Sequence, residues 1–462
     1  MPGRRGFENP DKGYAMTGKR EPEISVGIVT GRGLTFTLNG DFKAGDNGRI
    51  LTGSYTAVAG ADGLLLKNET GSVRAGDEIT FTPSDFRSCS FTLHAVTIGV
   101  NFHWQRNEDQ TFRGNLKFIM HSGQVTAVNI LPVEEYLVSV ISSEMSATSS
   151  SELLRAHSVI SRSWLLAQMD KTLQLSDAGE KYCTSFVTDG EITRWYDRED
   201  HRDYDVCADD HCQRYQGITR ASTDAVEEAV RNTAGEVLMY GDFICDARYS
   251  KCCGGATELF ENVWEPVSHA YLRKVIDASG AVQKHDSDLT DEKNAVEWIT
   301  GNPEAFCNTS DRHVLSQVLN NYDQETNDFF RWKIIYRQDE LSDLVRERTG
   351  IEFGRITSIE PLKRGTSGRI IRLRITGDRK SMVIGKELEI RKVLSKTHLY
   401  SSAFIVEKVE AHGETLFVLR GAGWGHGVGL CQIGAAVMGA TGYTYRQILF
   451  HYFTGSEIKK LY

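Results

Sequence analysis

The stretch Gly421-Ala-Gly-Trp-Gly-His-Gly-Val-Gly-Leu-Cys-Gln-Ile-Gly434 constrains this chain more than any other. Six of its 14 residues are glycine, so a regular helix is excluded and positive φ angles are open at alternate positions. Ordering that many glycines costs too much entropy for a simple connection. The expectation is a loop whose backbone closely approaches a ligand. Trp424 supplies a flat stacking face and His426 a polar or titrating group. That pairing suits a sugar: an apolar face stacks on the ring, and hydroxyls bond His426 or Gln432. A phosphate cradle is excluded, because the G-x-x-x-x-G-K-[ST] pattern is missing. A purely structural turn is the competing reading.

The rest of the 462 residues read as an α+β protein: a β-rich lobe, then a mixed helix and strand region forming a cleft. Residues 1–23 form a polar tail, expected to be disordered, without the apolar core of a signal peptide. Residues 24–130 alternate as strands do, notably from Val96 to Trp104. Asn39-Gly40, Asp62-Gly63 and Ser122-Gly123 mark turns between them. Residues 131–462 hold the helices, a loop-rich tract over 265–330, and a return to helix and then strand from Trp332. No run is long and apolar enough to cross a bilayer. A net charge of −9 without a basic run argues against a nucleic-acid partner.

Pro132 suits a first helical position, and Val133, Leu137, Val140 and Glu144 follow at helical spacing. Glu144 therefore falls on the apolar face near the helix end, where a carboxylate loses hydration and becomes a candidate general acid. The competing reading is a helix-end Glu that turns to solvent. Ser149-x-x-Glu152 has the form of a capping box opening a second helix.

Nine cysteines are too few for a disulfide-dense scaffold of this length, so their clustering matters more. His201, Cys207, His211 and Cys212 offer two thiolates and two imidazoles, a donor set for tetrahedral Zn²⁺. A Cys207–Cys212 disulfide and unrelated surface residues are the alternatives. The turn Tyr249-Ser-Lys-Cys-Cys-Gly-Gly255 gathers small and polar residues. Tyr249 and Ser250 are candidate substrate contacts there. No Cys–His nucleophile pair can be read around the vicinal Cys252-Cys253.

Taken together, several stretches resemble the stage II sporulation protein D family, also called the SpoIID/LytB domain. Thr111-Phe-Arg-Gly-Asn-Leu116 leads to Val128-Asn-Ile-Leu-Pro-Val-Glu-Glu-Tyr-Leu-Val-Ser-Val-Ile-Ser-Ser-Glu-Met145, with Glu144 at the position of the family's catalytic glutamate. Arg155-Ala-His-Ser-Val-Ile-Ser-Arg-Ser-Trp-Leu165 is similar to its following helix. Tyr249 to Gly255 with Val263-Trp264 resembles its serine- and glycine-rich turn, Gly423 to Ala435 its glycine signature, and His451-Tyr-Phe-Thr-Gly-Ser-Glu-Ile458 its ending. Ser146 stands where the family usually has Pro, and Ser158 and Ser161 replace small apolar residues.

The resemblance implies a lytic transglycosylase that cuts the β-1,4 bond between N-acetylmuramic acid and N-acetylglucosamine in peptide-stripped strands. It leaves 1,6-anhydro ends and needs no cofactor for the chemistry. It also implies an extracytoplasmic setting, peptidoglycan glycan strands as partner, a wall amidase working alongside, and a structural Zn²⁺ at the His/Cys cluster like that of some members. Two rivals remain: a non-catalytic glycan-binding enhancer of a wall amidase, and a zinc hydrolase centred on His201, Cys207, His211 and Cys212. The latter needs an open metal position that four protein ligands would close.

Overall fold

Alternation builds the first lobe. The strand Gly33–Ala44 buries Leu34, Phe36, Leu38, Phe42 and Ala44 on one side and turns Thr35 and Thr37 to hydroxyl partners on the next strand. This period of two is what a half-covered sheet requires. Phe36 packs on Phe81 and Phe118 at 5.5 and 4.8 Å between ring centres. In the computed structural model, residues 20–462 are described except 46–47, 100–104, 147, 179–182, 196–200, 202, 210, 220–221, 281–286, 319–328 and 412.

Ten strands between Glu23 and Pro132 join Val206–Cys207 in one eleven-stranded sheet. Its order runs from Val206–Cys207 through Glu23–Gly31, Gln124–Pro132, Asn115–His121, Glu78–Pro83 and Gly33–Ala44 to Arg49–Gly60, Gly63–Asn68 and Gly71–Arg74. Helices account for 24% and strands for 39% of the chain, a mixed α+β arrangement without a closed barrel. Ser122 and Gly123 both adopt positive φ between paired His121 and Gln124, the geometry of a two-residue hairpin. Asn39-Gly40 is no such turn. It forms a bulge within Gly33–Ala44, where Gly40 at φ 111° lets Cys89 lie against its backbone. The strand expected over Val96–Trp104 ends at Ile98, and residues 100–104 lie outside those described.

Helix α1, Val133–Glu144, follows Pro132 directly and buries Val133, Leu137 and Val140 completely. Helix α2, Ser151–Ala178, lies against α1, α3 (Asp224–Asn232) and the strand Glu236–Tyr240. Its start corrects the expected capping box. Ser150 rather than Ser149 accepts the backbone N–H of Leu153, while Ser149 donates to the Gln317 carbonyl. Glu152 instead accepts from the Tyr445 N–H. Regular structure among the described residues starts before the expected boundary: Glu21 accepts from the Glu134 N–H, and Glu23 opens the first strand.

The tract 265–330 contributes helices α4, Glu292–Thr300, and α5, Arg312–Val318. Trp332 opens no helix. It lies in the strand Arg331–Arg337, and helix α6, Gln338–Thr349, comes only after it. Helix α7, Glu387–Val393, and two small sheets enclose a second core around Trp332, Phe353, Leu373, Phe404 and Leu419. Helices α8, Gln432–Ala440, and α9, Tyr445–Tyr452, return to the first core beside α2. The last strand, Glu457–Lys460, pairs with Glu236–Tyr240. No helix among the described residues is long and apolar enough to cross a membrane.

Candidate functional site

The three carboxylates of α1 have different surroundings. Glu134 is bound by Arg162, the Gly235 N–H and the Tyr462 hydroxyl, and Glu135 by Arg87. Glu144, half-buried in the last turn between buried Ser143 and Met145, has no hydrogen bond or ion pair among the described residues. The backbone around it is held firmly. The Met145 N–H closes on the Ile141 carbonyl and the Ser146 N–H on the Gln317 carbonyl at the end of α5. The next residue, Val318, accepts from Lys251 Nζ at 2.6 Å, and the Lys251 carbonyl accepts from the Ile433 N–H. These bonds bring the ends of α1 and α5, the 249–255 turn and the start of α8 into one region.

The glycine loop is closely approached, but by the protein itself. Tyr249–Ser250 and Leu430–Cys431 pair in parallel, and Trp424 exchanges both backbone hydrogen bonds with Cys252 at 2.8 and 3.0 Å. Gly427, at φ 76°, leaves room for the buried Arg369, whose guanidinium carbon would lie 2.4 Å from an added Cβ. Gly429, at φ 74°, lies against the Arg248 carbonyl, 2.0 Å from where a Cβ would be. Arg369 donates to the Gly425, Cys253 and Ser367 oxygens. The alternating glycines therefore serve an internal fit, and much of the loop's backbone hydrogen bonding is taken up by neighbouring chain.

The candidate contact residues divide accordingly. Gln432 is buried, its Nε2 3.1 Å from Nε2 of the fully buried His157. Its amide is thus spent inside the fold rather than on a ligand's hydroxyl. Trp424 already has Phe329 and Tyr400 packed against it at 4.8 and 4.7 Å. Tyr249 is half-buried and meets the His157 ring at 4.5 Å. Ser250 is buried, and its hydroxyl finds no partner among the described residues. His426 accepts the Val428 N–H at Nδ1 and meets the Trp264 ring at 5.0 Å. Burial and the nearby guanidinium of Arg248 hold its pKa well below the usual imidazole value, so the ring is neutral.

Sequence reasoning missed Arg248. Its guanidinium is paired with Asp246 and lies 4.1 Å above the Trp264 ring. Arg248, Trp264 and Trp164 line a small cleft that reaches His201, His211 and Cys212. Arg248 and Trp264 are 16 positions apart on irregular chain, and no periodicity links them.

His157 makes a pH signature. Burial lowers its pKa to about 3, against about 6.5 unfolded. A depressed histidine contributes stability above its unfolded pKa and loses it as pH falls toward the folded one. Between pH 7.5 and pH 5 that share amounts to about 2 kcal/mol. Urea midpoints at the two pH values should therefore differ less in His157→Gln than in the parent.

The four His/Cys residues do converge. His201, Cys207, His211 and Cys212 bring one ligand atom each within 4.8 Å of all the others. His201 Nε2 and His211 Nδ1 lie 3.3 and 3.5 Å from Cys212 Sγ. Hydrogen bonding from Cys212 holds the Cys207 thiol well below its usual range, while hydrogen bonding to Cys207 and burial push Cys212 up. Pairing of Val206–Cys207 with the first strand, and bonds from Tyr136 to Gln213 and from Tyr215 to Asn129, tie this segment to the sheet and to α1.

The model of a family described as Stage II sporulation protein matches residues 121–240, and a domain of unknown function (DUF8618) matches residues 258–429. An uncharacterized protein of Brachyspira hyodysenteriae is 24% identical over 85% of this chain and 79% of its own length. Stage II sporulation protein D of Bacillus subtilis is 21% identical, and that of Bacillus amyloliquefaciens 20%, each over 72% of this chain and 76% of its own. Over residues 121–240, which carry Glu144 and the His/Cys cluster, the chain is similar to the Stage II sporulation protein family.

Proposed function

We propose that this protein is a peptidoglycan lytic transglycosylase acting on peptide-stripped glycan strands outside the cytoplasm. Similarity to the Stage II sporulation protein family supports a cell-wall-related role. The observation that carries the finer reading is Glu144: a half-exposed carboxylate, uncommitted to the fold, on a helix whose two other carboxylates are engaged.

The reaction needs one carboxyl group. Protonated Glu144 gives its proton to the glycosidic oxygen as the bond to the anomeric carbon breaks. Its carboxylate then takes the proton of the muramic acid 6-hydroxyl, whose oxygen bonds to the same carbon. An intramolecular nucleophile has a high effective concentration, so neither a positioned water nor the second carboxylate of a glycoside hydrolase is required. The Trp264 and His426 rings beside Arg248 are the surfaces offered for sugar contact.

Peptide-free strands digested with the protein should yield 1,6-anhydro-muramic ends, identified by mass. Reducing ends would instead mean hydrolysis and sink the transglycosylase reading. Strands bound but uncut would favour the glycan-binding enhancer of an amidase.

The donor set of two sulfurs and two imidazole nitrogens fits tetrahedral Zn²⁺. His201, Cys207, His211 and Cys212 would hold it in a closed, structural site, where it clamps the 201–216 segment to the sheet. Chelation should lower the melting temperature by on the order of 5 °C or more, with activity falling only as the fold is lost. Full activity in a chelated protein of unchanged melting temperature would refute the structural role.

A further inference from the structure

A second group of metal-ligand atoms lies apart from the first. Cys253, Asp277, Cys307 and Cys431 are all buried, and one ligand atom from each lies within 4.8 Å of all the others. We propose that these four residues form a second, closed tetrahedral site for Zn²⁺, with three thiolate sulfurs and one carboxylate oxygen as ligands.

Spacing is the first support. Zn–S bonds of about 2.3 Å at a tetrahedral centre put ligand sulfurs about 3.8 Å apart. Cys253 Sγ and Cys307 Sγ are 3.7 Å apart. The separation is non-bonded, and a disulfide between them would leave the Cys431 thiol and the Asp277 carboxyl buried together without a cation.

Orientation is the second. Metal ligands are held by hydrogen bonds from behind. Asp277 accepts from the Tyr452 hydroxyl at 2.6 Å on one oxygen and from the Cys307 N–H at 3.0 Å on the other. The Cys253 N–H points at Cys431 Sγ at 3.2 Å, a bond that favours the thiolate. Each oxygen of Asp277 keeps a lone pair free for a metal.

The choice of metal follows from the donors. Soft thiolates in a compact tetrahedral set select Zn²⁺ over the oxygen-seeking cations. Four protein ligands leave no open position, so this metal is structural. Cys307 lies inside the segment 258–429, whereas Cys253 and Cys431 flank it on either side. Cys431 is also the N-cap of α8. The metal therefore staples that segment to the turn and to the end of the glycine loop.

The test uses the full chain, purified without chelator, and a His201→Ala/His211→Ala variant in which the first cluster is dismantled. The folded variant should retain about one zinc per chain, with an X-ray absorption shell dominated by sulfur at about 2.3 Å. Adding Cys307→Ser should release that zinc. A folded double variant with no metal overturns the proposal, as does peptide mapping that finds a Cys253–Cys307 disulfide. The parent chain guards against variants that fail to fold. A shell of three sulfurs and one oxygen in its zinc signal supports the site, and a signal made only of two sulfurs and two nitrogens overturns it.

Discussion

Glu144→Gln should lower the rate of strand cleavage by about 10²–10⁴-fold. The amide keeps the size of the side chain and can neither give a proton to the leaving oxygen nor take one from the muramic hydroxyl. The fold should be indifferent to the change, because the carboxylate is half-exposed and has no hydrogen bond or ion pair among the described residues. Melting temperature should therefore match the parent while single-turnover cleavage collapses. Strand binding should persist, since the amide keeps the size of the side chain and its capacity for hydrogen bonds. Wild-type rates in the folded variant would remove Glu144 from the chemistry.

The largest stability effect is expected at Arg162. This side chain is fully buried on α2 and makes two bonds to the carboxylate of Glu134, at 2.9 and 2.6 Å, and one to the Glu236 carbonyl at 3.0 Å. Arg162→Ala leaves Glu134 ionised in a largely dry place without its cation. Breaking a buried pair from one side costs about 3–5 kcal/mol. Arg162→Met/Glu134→Gln removes both charges and should cost clearly less than Arg162→Ala alone, because no unpaired charge remains. Urea midpoints of the parent, the single and the double variant at one pH decide it. Equal losses in single and double variants would mean that packing, not charge, dominates at this position.

Local signals carried much of this architecture. The stripe of Val133, Leu137 and Val140 after Pro132 announces α1, because a helix core face repeats every three to four residues. The His/Cys cluster was legible because its four members fall within twelve positions, close enough for spacing to suggest a shared centre. The second cluster was not. Residues 253, 277, 307 and 431 are far apart, and only the completed fold brings them together. The glycine loop was legible as a site of close approach, but not in its direction. Missing side chains say that something fills the space, not that it is Arg369 and the Arg248 carbonyl. Asn39-Gly40 shows the same limit: one dipeptide favours positive φ in a turn and in a bulge alike. Trp332 read as helix because α6 follows so closely, whereas pairing with Glu414–Ala422 decides its strand.

The parallel pairing of Tyr249–Ser250 with Leu430–Cys431, and the closure of Glu236–Tyr240 by Glu457–Lys460, carry a kinetic consequence. Both contacts join positions some two hundred residues apart, so loop closure must precede any gain from them. While the chain is being made, the first sheet and α1 can assemble, but Glu236–Tyr240 and Tyr249–Ser250 lack these partners until residues 430–460 emerge. The contacts around the glycine loop therefore form late and together. A chain cut before Glu457 should hold an ordered front half with α1 in place and nothing to set against it.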